Sequence, residues 1–119
     1  MIDVPNRRIA TKNNTIDFSE ITIMEGFYFR NEYDETGNKR FHADIDFVAT
    51  KYDKRIPLKL RFDDVTDLKI DRYGVSIYGF DIIDNKERGW QNDSRYRYHF
   101  EDDEYGVMDF YCSGVRLLA

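Results

Sequence analysis

The sequence predicts an all-β fold: an antiparallel β-sandwich or flattened barrel of about eight to nine strands, with little or no helix. Three observations predict it. Apolar side chains recur at every second position in run after run, the period of a strand that buries one face. Clusters of turn-forming residues interrupt those runs at intervals of about ten residues. No long segment carries apolar residues at the i, i+3, i+4, i+7 spacing of a buried helical face. The short connections call for antiparallel neighbours, because a parallel neighbour needs a long crossover.

The elements follow in order. Residues 1–14 read as a polar lead-in, with Asn6-Arg7-Arg8 and Thr11-Lys12-Asn13-Asn14 around a lone Ile9. From Thr15 the pattern turns strand-like: Ile16 and Phe18 alternate, and so do Ile21 and Ile23, then Phe27 and Phe29. The phase slips by one near Ser19-Glu20, where a bulge or bend would repair it, and Gly26 marks a second bend. Asp34-Glu35-Thr36-Gly37-Asn38 is a turn signal, so 27–33 and 39–50 read as a hairpin. In its second arm Phe41, Ala43, Ile45, Phe47 and Ala49 alternate with polar residues. A helix would scatter those five around its circumference, which makes this the clearest strand in the chain.

Tyr52-Asp53-Lys54-Arg55 is the next turn, followed by Leu58, Leu60 and Phe62 in alternation. Residues 63–67 suit either a strand break or one helical turn, given the spacing of Phe62, Val65 and Leu68. Asp71-Arg72-Tyr73-Gly74 leads into Val75 and Ile77, then Phe80 and Ile82 after a slip at Gly79. Residues 84–94 read as a polar loop holding Trp90. Tyr96, Tyr98 and Phe100 alternate, Glu101-Asp102-Asp103-Glu104 reads as an exposed connection, and residues 107–112 and 115–118 close the chain as strands.

A chain of 119 residues fits one domain, here residues 15–119, and buries roughly two-thirds of its unfolded surface. Its nine Phe, nine Tyr and one Trp are more aromatic side chains than a disordered segment carries. The net charge of −5, from 23 acidic and 18 basic residues, argues against phosphate-driven nucleic-acid binding and fits a basic protein partner. The one cysteine, Cys112, rules out an internal disulfide. With no signal-like stretch at Met1-Ile2-Asp3-Val4-Pro5, this predicts a reducing compartment, the cytoplasm. No apolar run is long enough to span a membrane as a helix. An exposed sheet edge would offer a route to a homodimer.

Three groups of residues are candidates for a site. Asp63, Asp64, Asp67, Glu101, Asp102, Asp103 and Glu104 would form an acidic partner-binding surface if the fold gathers them, steering a basic partner. Trp90, Tyr73, Tyr96 and Tyr98 would form an aromatic platform for a sugar ring or another small ligand. His42, Asp44 and Asp46 alternate on one strand, share a face and are metal-ligand types, the basis of a metal-dependent enzyme. Each has a plainer explanation in solvated turns, cross-strand aromatic pairs and the polar face of a strand. His99, between Arg97 and Glu101, has no serine in a nucleophile-elbow context to serve. Cys112 shares a predicted face with Met108 and Phe110, a buried and inert setting. No phosphate-cradling glycine loop occurs, and no cofactor and no enzyme are predicted.

Leu58-Lys59-Leu60-Arg61-Phe62, followed by Asp64-Val65 and Leu68-Lys69-Ile70, and then Asp109-Phe110-Tyr111-Cys112, resemble small bacterial domains. Some of these are grouped with the immunity proteins of polymorphic toxin systems. The resemblance spans residues 40–118 and rests on strand patterns. It implies a cytosolic inhibitor that neutralises a toxin by binding it, and it carries over no catalytic residues.

Overall fold

Two four-stranded antiparallel sheets pack face to face, with a small three-stranded sheet added by the first residues of the chain. The structure is a computed structural model and describes residues 1–71, 76–77, 79–88, 94–102 and 108–118. Among these lie eleven strands and three short 3₁₀ turns, so the strand count exceeds the eight to nine expected, while the all-β, sandwich-like class stands.

The excess comes mainly from the opening residues. Strands β1 (Ile2–Asp3), β2 (Arg8–Ala10) and β3 (Thr15–Asp17) form the small sheet where a lead-in was expected. Ile9 stands in register between Ile2 and Ile16, and Ile9 and Ile16 are fully buried. The slip near Ser19 is a 3₁₀ turn, Phe18–Glu20, not a bulge; the Asp17 amide donates to Glu20 Oε1 at 2.8 Å and holds it.

Strands β4 (Ile21–Tyr33) and β5 (Lys39–Lys51) make the long hairpin. Its register shifts between Met24 and Gly26, where the sequence places a bend. At its tip Asp34 Oδ1 accepts from the amides of Thr36 and Asn38, and Gly37 takes a φ of +83°, a conformation that disfavours a side chain. Strand β6 (Lys54–Asp63) returns through a two-residue turn at Tyr52 and Asp53, both at positive φ, as hairpin twist requires. Because β6 pairs with β5 only as far as Ala43, the hairpin continues past its neighbour as a two-stranded ribbon.

The chain then changes sheets. Asp64 and Val65 carry it from β6 to β7 (Thr66–Ile70), and Ser113 carries it back from β10 (Met108–Cys112) to β11 (Gly114–Leu117). The 63–67 segment is thus a corner and not a helical turn. With β8 (Phe80–Asp84) and β9 (Tyr98–Asp102), the sheet orders are β11-β6-β5-β4 and β7-β10-β9-β8. The two crossings are stitched together: the Ser113 amide donates to the Asp63 carbonyl at 2.8 Å. Strands that change sheets do so at bends of this kind, and Asp64 bends at a φ of +52°.

Between the sheets lies an aromatic core. Phe47 and Phe62 of one sheet meet Phe80, Phe100 and Phe110 of the other at centroid separations of 5.0–5.9 Å, several of them edge-to-face. Each such ring contributes about 1.5–3 kcal/mol by leaving water, and the favoured ring geometry adds to that. Asp102, expected in an exposed connection, is instead on β9 and only 4% exposed. Among the described residues, no helix is long and apolar enough to cross a membrane.

Candidate functional site: a charged cleft at the sheet corner

Alternation puts the apolar residues of β5 and β6 inward, so their polar residues form a ladder on the outer face. Asp44 pairs with Arg61 through two parallel hydrogen bonds, at 2.7 and 2.9 Å. Asp46 faces Lys59 at 3.6 Å, and on the edge strand Arg30 reaches Glu32 at 3.2 Å. The Arg61 guanidinium holds the Asp44 carboxyl below its ordinary value, against the opposing effect of desolvation.

Where this ladder meets the corner, a cleft of about 530 Å³ opens. His42 and Asp63 line its floor, Arg40, Asp64 and Arg116 its sides, and Tyr33 its rim at the hairpin end. His42 is there for a structural reason. The switch of sheets leaves the Asp64 amide without a ladder partner, and it donates to His42 Nδ1 at 3.3 Å. The next amide, Val65, donates to the Phe41 carbonyl at 2.7 Å. His42 Nδ1 also lies 3.4 Å from Asp63 Oδ1, and Nε2 faces Glu32 at 3.5 Å. Asp63 takes Arg116 at 3.1 Å, and Asp64 takes the Ser113 hydroxyl at 2.7 Å.

Serine, histidine and aspartate therefore stand together here. The Ser113 hydroxyl is directed to the Asp64 carboxylate and not to the imidazole. Cys112, one residue away, is fully buried, and burial pushes its thiol far above the ordinary value.

The sequence-derived groups fare differently. Of the acidic set, Asp63 and Asp64 line the cleft. Glu101 lies opposite Asp109 on β10, four residues before Ser113, hence roughly 13 Å along the strand from the corner. Asp102 is buried, Asp67 lies on β7, and Asp103 and Glu104 fall outside the described residues. The five described residues of the set do not form one patch at the cleft. Of the aromatic set, Tyr73 and Trp90 fall outside the described residues. Tyr96 packs edge-on to Tyr111, whereas Tyr98 lies under the Arg97 guanidinium and faces a second cleft beside the N-terminal strands. His42, Asp44 and Asp46 do share the outer face, as alternation demands, but each is turned to a different partner.

The sequence reading missed Arg30, Arg40, Arg61 and Arg116, the four guanidiniums around the cleft. The signal for Arg61 was present: it alternates with Leu60 and Phe62 on a strand facing the aspartates of β5. No family model, no curated protein and no solved structure matches this chain.

Proposed function

We propose that this chain is a non-catalytic protein-binding module, a small bacterial cytosolic inhibitor of the immunity type, and that it receives a basic partner protein on the cleft face. The observation that carries this is the composition of that face. Tyr33, 71% exposed, lines the cleft with arginines already fixed in ion pairs, and Tyr28, 59% exposed, lies under the Lys59 ammonium on the same sheet. Tyrosine and arginine dominate the energetics of protein interfaces, and side chains ordered before binding lose little entropy on docking. Glu32, Asp34, Glu35, Asp63 and Asp64 outnumber the arginines along the lining, which suits a lysine- or arginine-bearing partner.

The test is quantitative capture from the source cell on immobilised protein. A Tyr33→Ala/Glu35→Lys double variant changes two exposed side chains at the rim. It should lose roughly 2 kcal/mol of partner affinity, about thirtyfold, with its melting temperature unchanged. Equal capture by both proteins would remove the cleft from the binding surface.

A further inference from the structure

We propose that His99, Glu101 and Asp109, on the outer face of the second sheet, form a binding site for zinc or a similar borderline divalent cation. Ladder register puts them together. Glu101 lies directly opposite Asp109, and His99 opposite Tyr111, so all three project from one face of adjacent strands. One ligand atom from each lies within 4.8 Å of the other two. His99 Nε2 is 3.0 Å from both carboxylate oxygens of Asp109. A tetrahedral zinc bound at about 2.1 Å holds its ligands about 3.4 Å apart, so the imidazole and Asp109 need to part by only a few tenths of an ångström, while the Glu101 carboxylate must swing in by up to about 1.4 Å. The imidazole is fixed by stacking on Tyr111, with centroids 4.5 Å apart and planes 14° from parallel. Side-chain exposures of 13%, 25% and 36% leave the group open to an ion while keeping it partly out of water.

The two carboxylates of the group belong to a longer row. Asp81, Glu101 and Asp109 occupy directly opposed positions on β8, β9 and β10, a row of three carboxylates across the sheet. Like charges directly opposite each other destabilise a ladder. Arg7 answers Asp81 at 2.6 Å at one end of the row. Lys69 on β7 lies directly opposite Asp109 at the other end, so a cation held by Asp109, Glu101 and His99 would sit in the middle of the row, between the two opposed carboxylates. The donor set, one imidazole nitrogen and two carboxylate oxygens, matches zinc better than calcium or magnesium, which take oxygen alone.

The test is calorimetric titration of chelator-stripped full-length protein with zinc chloride, repeated for His99→Asn, Asp109→Asn and His42→Asn. The expected result is one ion per chain, bound on the order of tenfold or more weakly by each of the first two variants and unchanged in His42→Asn. Zinc should also raise the melting temperature of the native protein and not that of Asp109→Asn. Because Asp109→Asn preserves shape, it keeps the test valid should His99→Asn fold poorly. Saturation absent in the native protein, retained in both site variants, or lost in His42→Asn would overturn the assignment.

Discussion

His42 shows how one side chain can look like chemistry and serve architecture. Its Nδ1 accepts the amide that the change of sheets strands at Asp64. Removing the acceptor from a 7% exposed site leaves a donor poorly satisfied, so His42→Ala should cost about 1–3 kcal/mol in denaturant unfolding. His42→Asn, whose Oδ1 stands where Nδ1 does, should recover most of that. Equal losses for both would mean that the amide is satisfied elsewhere. The histidine was visible in the sequence as a polar residue on an apolar strand, but its partner was not. Asp64 lies 22 residues away across a corner that local periodicity does not reveal.

The carboxylates add a pH dependence at the same scale. Side-chain hydrogen bonds from Arg61 and Arg97 hold Asp44 and Asp84 below the ordinary carboxylate value of 3.8. A native state that binds the proton less tightly than the unfolded chain is stabilised above that value and loses the stabilisation as pH falls through the native one. The melting temperature should therefore decline below about pH 4, and Asp44→Asn/Asp84→Asn should flatten the decline. An unchanged slope in the double variant would assign acid sensitivity to other groups.

At the scale of elements, the hairpin was the most legible part of the chain, because the five alternating apolar residues from Phe41 to Ala49 and a turn cluster agree. Its tip depends on Gly37 at a φ of +83°. Gly37→Ala should cost about 1 kcal/mol through backbone strain, and hydrogen exchange should rise at the tip while the amides of β6 stay protected. Exchange rising throughout the sheet would mean the ribbon is integral to the sandwich. The N-terminal strands were illegible for the opposite reason. Each contributes two or three residues and at most one fully buried side chain, too few to set up an alternation. Only their pairing with one another makes Ile2, Ile9 and Ile16 a column. The corner at residues 63–65 was ambiguous because a bend and a helical turn space apolar residues alike.

At the scale of the molecule, the two sheets are held by rings that meet across their interface. Phe100 touches Phe47, Phe62, Phe80 and Phe110, so Phe100→Ala should cost about 3–5 kcal/mol, more than any surface substitution named here. The sandwich class was legible because burying one face of every strand leaves few arrangements. The cleft was not, because it forms where two crossings, β6 to β7 and β10 to β11, lie side by side, and their adjacency is a property of strand order. That corner and the ribbon beyond it give the molecule a face rich in tyrosine, arginine and carboxylate, on which the proposed partner docks.

The most direct measurement compares partner capture by three folded proteins: the native chain, the rim variant Tyr33→Ala/Glu35→Lys, and Lys69→Glu on the second sheet. Docking on the cleft predicts that the native chain and Lys69→Glu retain the same partner and that the rim variant releases it. Retention by the rim variant with loss by Lys69→Glu, or no specific partner for any of the three, would contradict it.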